Sequence, residues 1–233
     1  MSFSVIIPFY NEEQNIKDLI AEVIKSLNKY DNYELILIND ASSDNTSKIL
    51  NNIKKENNQD VNIITNNINI GQSFSIIKGV KFAKHNTIVT LDGDGQNNPK
   101  DIPKLLRTYN ENNLYLIGGI RSKRKDILIK IISSKIANSI RKFFLKDGCD
   151  DTGCSLKVFN KQIFLKLPEF NGLHRFLPAF YSGFGYKTDF INVDHRHRKF
   201  GKSKYGTFLR LIRGVKDLIK VYLIIKKGLK NYD

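Results

Sequence analysis

In Val89-Thr90-Leu91-Asp92-Gly93-Asp94-Gly95-Gln96 an apolar run stops at two carboxylates with one glycine between them. If the run is a buried strand, Asp92 and Asp94 stand at its carboxyl end, the edge at which open α/β sheets bind ligands. Side chains two apart on an extended segment point the same way, so both carboxylates can face one cation. Mg2+ or Mn2+, held by one or two carboxylates and completed by substrate phosphates, is the chemistry this pattern suggests. A calcium loop is excluded, because its sixth position would be Asn97 instead of glycine and its twelfth Pro103 instead of glutamate. A solvated turn is the plainer use of Asp and Gly, so the pair gains weight from its company.

Asp40 closes a second apolar run, where a carboxylate can accept the N–H of a base such as uracil or guanine; capping a helix is its bland use. Tyr10 follows a first apolar run and can stack on a base or fill the core. Arg121 and Arg124 follow Gly118-Gly119, and a planar guanidinium suits bidentate phosphate binding. His195-Arg196-His197-Arg198 and Gly201-Lys202-Ser203-Lys204-Tyr205 make a dense cationic loop that suits anions; its two histidines make a poor metal site among so many cations. Cys149 and Cys154 lack partner ligands at metal spacing and read as free thiols of a reducing compartment.

The elements that must position these groups follow from periodicity. Strands are expected at 4–8, 35–38, 61–64, 87–91 and 114–117, and the segments between them read as helices. Asn11 is the expected N-cap of the first helix, Ser43 or Asp44 of the second, and Asn98-Pro99 of the fourth. This alternation implies a parallel sheet with right-handed crossovers. Beyond Gly119, 127–145 and 173–181 read as helices, and 152–159 and 187–194 as strands. Phe208, Leu211, Ile212, Val215, Leu218, Ile219 and Tyr222 follow helical spacing among basic residues, so 206–233 is a basic amphipathic helix.

The 233 residues suit one α/β domain. Net charge is +15 but uneven: residues 1–100 carry 10 lysines against 12 acids, and residues 101–233 carry 28 basic residues against 11 acids. The first part suits a nucleotide and the second an anionic surface. No signal peptide is apparent, and no apolar run reaches the ~18–20 residues that span a bilayer. A nucleic-acid-binding protein would also explain the basic half. It leaves Asp92 and Asp94 unexplained, since without metal they repel phosphate.

In order along the chain, Val5-Ile6-Ile7-Pro8-Phe9-Tyr10-Asn11-Glu12-Glu13, Ile38-Asn39-Asp40-Ala41-Ser42-Ser43-Asp44, Asn69-Ile70-Gly71-Gln72, Leu91 to Pro99, Gly119-Ile120-Arg121, Asp151 to Lys157, His174-Arg175-Phe176-Leu177-Pro178 and the Arg198 to Tyr205 loop resemble family-2 inverting glycosyltransferases of the GT-A fold. The likeness is to polyprenyl-phosphate sugar synthases, of the dolichol-phosphate mannose synthase and undecaprenyl-phosphate glycosyltransferase kinds. It implies a mostly parallel sheet flanked by helices over residues 1–205, with a nucleotide-sugar half (1–120) and an acceptor half (121–205). Asp40 would read the base with Pro8, Tyr10 and Glu12 lining its pocket, and Asp92 and Asp94 would hold ribose, diphosphate and metal with Gln96 near the ion. Arg121, Lys130, His174, Arg175, Arg198, Ser203 and Lys204 would serve phosphates or the acceptor, and Asp94, Arg121 and Arg198 catalysis. Asn39 departs from the family, which usually has Asp there. A membrane-protein partner or a second copy of the chain is compatible with this reading.

The implied reaction moves a sugar from a UDP- or GDP-linked donor to a polyprenyl phosphate, undecaprenyl or dolichyl, with inversion. A phosphomonoester has a second pKa near ~6 and needs no general base to attack. A hydroxyl acceptor would need one, and Asp150 or Asp151 is then the candidate. The basic helix would rest on the anionic cytoplasmic face of a membrane.

Overall fold

The computed structural model describes residues 1–57, 60–122, 139–198 and 207–228, with side chains of the last stretch from 214 onward. The expected sites at Arg124, Lys130, Ser203 and Lys204 lie outside the described residues. So does most of the 127–145 segment.

One seven-stranded sheet organises the chain. Its strands are β1 (Phe3–Phe9), β2 (Tyr33–Asn39), β3 (Asp60–Thr65), β4 (Thr87–Thr90), β5 (Leu116–Arg121), β6 (Lys157–Asn160) and β7 (Thr188–Val193), in spatial order β3-β2-β1-β4-β6-β5-β7. Alternation along each strand loads both faces. Phe3, Val5, Ile7 and Phe9 of β1 face one apolar cluster with helices α1 (Ile16–Ser26), α2 (Thr46–Glu56) and α4 (Ile102–Glu111). Ile6 faces another with α3 (Gln72–Phe82), α6 (Lys161–Phe164), α7 (Leu173–Gly183) and α8 (Thr207–Lys227). A sheet covered on both faces needs apolar strands throughout, and β2 is buried along its whole length.

The order reverses between β1 and β4, and both pair in parallel with their carboxyl ends at one edge. Such a reversal opens the crevice in which α/β sheets hold ligands. β6 is the exception to the expected parallel winding. It runs antiparallel to β4 and to β5, with Thr90 opposite Lys157. The strand is also shorter than expected from the sequence, because residues 151–156 form the turn that leads into it. Being antiparallel, β6 enters the sheet at the edge where its neighbours leave, which delivers 151–157 to the crevice.

The first helix starts at Ile16 instead of after Asn11. Asn11 takes a left-handed turn (φ 52°) and is spent between loops: its N–H donates to Ser42 Oγ at 3.0 Å and its Oδ1 accepts from Ser43 N at 2.8 Å. The second helix begins at Thr46, whose N–H donates to Asp44 Oδ1 at 3.0 Å. Asn98 behaves as expected, accepting from Lys100 N at 3.2 Å, although the first turn after it is a 3-10 turn.

The α8 helix divides its apolar residues between two faces. Val221 and Ile224 are buried, and Ile225 meets α7 so closely that a Cβ added at Gly183 would lie 2.6 Å from it. Val215, Ile219, Tyr222 and Leu223 are exposed. Beside them lies helix α5 (139–145), with Ile140, Phe143 and Phe144 exposed and Phe144 edge-on to Tyr222 at 6.4 Å. The buried pair Arg141 and Asp147, 2.9 Å apart, anchors α5 and turns these side chains outward.

Candidate active site

Residues 92–95 form a turn instead of continuing the β4 strand, so Asp92 and Asp94 are brought together by the bend rather than by pleat alternation. Gly93 makes the bend possible. A Cβ there would lie 2.7 Å from Pro8 O and 2.5 Å from the Phe9 ring, so the turn lies directly on the end of β1. The Asp92 N–H is tied to Asn97 Oδ1 at 3.0 Å, and Asp94 Oδ1 accepts from Gln96 N at 3.1 Å.

Four carboxylates gather at the strand tips, each with its own partners. Asp40 is buried and accepts from Asn66 Nδ2 at 2.8 Å, Ile70 N at 2.9 Å and Gly71 N at 2.8 Å. It therefore pins the loop between β3 and α3, and the capping use is at least part of its role. Asn39 supplies the acceptor the local turn requires, taking Ser42 N–H at 3.0 Å, a task for which asparagine serves as well as aspartate. Glu12 is bonded by Asn15 Nδ2 at 2.7 Å and by Arg198 Nη2. Burial raises the Glu12 pKa, against the Asn15 bond and the Arg198 charge. Arg198 also lies 3.9 Å from Asp94 Oδ2, so one guanidinium spans both acids.

Asp92 is the most perturbed of them. Burial first, and then the charge of Asp94, push its carboxyl up to about 6, against a hydrogen bond from Ser155 and the charges of Lys157 and Arg121. Two close acids with this preference suit a divalent ion. Among the described residues no group of three or more His, Cys, Asp or Glu forms a metal cage. A hard cation here would take two carboxylates and draw its other ligands from phosphates and water, as Mg2+ and Mn2+ commonly do. Gln96 turns its amide nitrogen toward Arg196 O at 3.3 Å and His195 Nε2 at 3.4 Å, so only its oxygen could serve such an ion.

This has a measurable consequence. Asp92 holds its proton more tightly in the fold than in an unfolded chain, where a carboxyl titrates near ~3.9. Its ionisation therefore opposes folding: the stability it gives at low pH is lost as pH rises through about 6. A Mn2+ ion bound by Asp92 would compete with that proton. The rise in melting temperature caused by Mn2+ is expected to be small near about pH 5 and larger near about pH 7.5. Equal shifts at both pH values would remove Asp92 from the ion site.

Several expected anion contacts are arranged otherwise. Arg121 stands at the end of β5, but its Nε and Nη2 grip Asp151 at 2.6 and 2.8 Å, and its N–H donates to Asp151 Oδ2 at 3.2 Å. It is a paired, largely buried cation instead of an open phosphate clamp. Gly153 leaves room for it, since a Cβ there would lie 2.9 Å from Nη2. His174 lies inward, its Nδ1 2.7 Å from Ser73 Oγ, beside a small cavity shared with Thr90, Ser155 and Lys157. Burial, then the charges of Arg175 and Lys157, hold its pKa well below the usual value. A neutral imidazole is a weak phosphate partner, which argues against that role. Arg175 pairs with Asp217 at 3.8 Å and so links α7 to α8. Pro8 is the penultimate residue of β1, and Tyr10 is exposed just beyond the strand. Cys149 and Cys154 are buried free thiols with pKa values pushed up to about 11 by burial.

Asp92, Asp94, Glu12, Gln96, Arg198 and Arg121 thus share one crevice. Lys157 at the start of β6 and Ser155 in the turn before it join them, as does Gln72 from α3, donating to Asp92 Oδ1 at 2.5 Å. The sequence signal for Gln72 was its place just after Gly71 at a helix start. Lys157 lies in the Asp151 to Lys157 segment of the family resemblance, but its role at Asp92 depends on the antiparallel strand.

A sheet reversed between β1 and β4, with paired acids at the tip of β4 and an antiparallel strand beside it, defines an α/β fold of the GT-A class. The chain belongs to glycosyl transferase family 2, whose family model matches residues 4–167. It is 35% identical over 217 residues to undecaprenyl-phosphate 4-deoxy-4-formamido-L-arabinose transferase of Proteus mirabilis, covering 93% of this chain and 66% of that protein. The enzyme of that name from Shewanella sediminis is 33% identical, with 93% and 65% covered. The chain therefore spans about two thirds of these relatives' length. Among solved structures, glucosyl-3-phosphoglycerate synthase from Mycobacterium tuberculosis, in complex with Mn2+, UDP and glucosyl-3-phosphoglycerate, aligns with a TM-score of 0.69 at 15% identity, covering 95% of this chain and 78% of that one. A mannosyltransferase from Pyrobaculum calidifontis in complex with GDP-Man and Mn2+ aligns with a TM-score of 0.66 at 15% identity, covering 94% and 62%.

Proposed function

We propose that this chain transfers a sugar from a nucleotide diphosphate sugar, UDP- or GDP-linked, to a polyprenyl phosphate, inverting the anomeric carbon. The observation that carries the reading is the state of the acids around the crevice. Asp151 has both oxygens gripped by Arg121, and Asp150 is exposed and 2.5 Å from Lys142. Neither is placed to take a proton from an acceptor hydroxyl. An acceptor phosphate needs no such base, because its dianion attacks directly. The names of the curated relatives support the same acceptor class.

In this mechanism Tyr10 offers its ring to the base, while Asp40 fixes the loop that closes the base pocket. Asp92 and Asp94, with the oxygen of Gln96, would hold Mn2+ or Mg2+. The ion would neutralise charge developing on the leaving diphosphate. Arg198, spanning Glu12 and Asp94, places a cation beside the same diphosphate, and the Arg121–Asp151 pair keeps a positive edge toward Asp92. The protein contributes position and electrostatics instead of a proton shuttle.

The acceptor resides in a bilayer, and the exposed apolar surface of α5 and α8 suits its interface. Among the described residues no helix is long and apolar enough to cross a membrane. Phe143, Phe144, Ile219, Tyr222 and Leu223 would enter the headgroup boundary while Lys142, Lys216, Lys220 and Lys226 meet anionic lipid. On this reading the chain binds peripherally at the cytoplasmic face, where a membrane-protein partner or a second copy could join it.

The test supplies Mn2+ and a panel of UDP- and GDP-sugars, with undecaprenyl phosphate either in anionic vesicles or in detergent, and detects the lipid product by mass. Product with one donor class is expected. Phe143→Asp combined with Leu223→Asp should lose about tenfold or more on vesicles and little in detergent. Transfer only to soluble glycans would overturn the acceptor; equal loss in both media would overturn the membrane role.

A further inference from the structure

We propose that Gln72 is a positioning residue for Asp92: it fixes one carboxylate oxygen so that the other is presented to the cation and diphosphate. The inference rests on the reading of Asp92 as an ion ligand. Gln72 is the first residue of α3, and its Nε2 reaches Asp92 Oδ1 at 2.5 Å and Ser155 Oγ at 3.3 Å. An amide nitrogen has no lone pair for a metal, so this contact cannot be coordination. It can only set the rotation of the carboxylate. The charges of Lys157 and Arg121 also act on Asp92.

The base of Gln72 is itself held. Asn69 Nδ2 donates to Asp40 O at 3.2 Å, and the N–H groups of Ile70 and Gly71 donate to the Asp40 carboxylate. Gly71 has φ +83°, a conformation that L side chains rarely adopt. That turn lets residues 70 and 71 face Asp40 while residue 72 faces Asp92. Four consecutive residues thus join the tip of β2 to the tip of β4. Ligand-orienting contacts of this kind commonly change metal affinity by 10–100-fold when removed.

The test is Mn2+ binding to the full chain without nucleotide, followed by the electron paramagnetic resonance of the free ion. Five proteins are compared: wild type, Gln72→Met, Gln72→Ala, Asp92→Asn and the Gln72→Met/Asp92→Asn double variant. Methionine keeps the shape of the side chain and removes the donor. Gln72→Met is expected to weaken Mn2+ by about tenfold or more, with an unchanged melting temperature in metal-free buffer. The double variant should bind no more weakly than Asp92→Asn, because Gln72 acts through Asp92. Gln72→Ala should reproduce the loss. Wild-type affinity in Gln72→Met beside a weak Asp92→Asn would overturn the role of Gln72 alone. Additive losses in the double variant would do the same. Wild-type affinity in Asp92→Asn would instead overturn the reading of Asp92 itself.

Discussion

Asp94→Asn is expected to reduce sugar transfer by at least about a hundredfold, and toward a thousandfold, while the protein stays folded. Asparagine keeps the Oδ1 acceptor for Gln96 N and loses the charge. On the proposed mechanism that charge is what the ion and the arrangement around Arg198 would need. The same charge is also a burden in the metal-free chain, since it pushes up the pKa values of both Asp92 and Glu12. Removing it should leave the melting temperature unchanged or higher, and should abolish the gain from Mn2+. Rate measurements with saturating donor, beside thermal melts with and without Mn2+, check both halves. Retained turnover would take Asp94 out of the mechanism. A collapsed melting temperature would show that its role is in folding.

The second large effect concerns Asp151→Asn. The Arg121 and Asp151 side chains are only 16% and 7% exposed, so the variant leaves a buried guanidinium with half its partner. Breaking one side of a buried pair costs about 3–5 kcal/mol. For a chain of this size that is a fall of roughly 6–20 °C in melting temperature. This separates two roles for Asp151. A general base for a hydroxyl acceptor would lose activity with an unchanged melting temperature and would leave a pH-rate profile lacking its acidic limb. A partner of Arg121 loses stability first, and the surviving folded protein keeps its pH profile.

Much of the fold was legible because strand periodicity is local. Four of the five strand runs end at residues that gather at the strand tips, and the helix periods between them are clear. What escaped was non-local. The direction of β6 is not encoded in Lys157 to Asn160, since four apolar and polar residues suit either sense; it follows from the loop that precedes them. For the same reason Lys157 and Ser155 gave no sign that they would reach Asp92. The site acids were legible by type and place, but their partners were not. Nothing near Arg121 in sequence announces Asp151, thirty residues on, and a free cation was the natural reading. His174 is similar: a histidine beside an arginine suggests an anion site, and only the position of Ser73 shows that its ring faces inward. On α8 a single apolar stripe was expected. The helix has two, because its neighbour α7 occupies one side and leaves the other bare.

The insertion of β6 between β4 and β5 has a bearing on how the protein can be divided. Residues 1–121 would hold six of the groups around the crevice, yet the chain cannot be cut after Arg121 to give a working piece. The fragment would leave β4 with one raw edge and β5 with two, since both β6 and β7 would be gone. Co-expressed with residues 139–228, it could recover a sheet only by receiving β6 as a guest strand. Complementation of that kind needs both pieces in one cell, and it would restore Ser155 and Lys157 to Asp92 in the same event that closes the sheet.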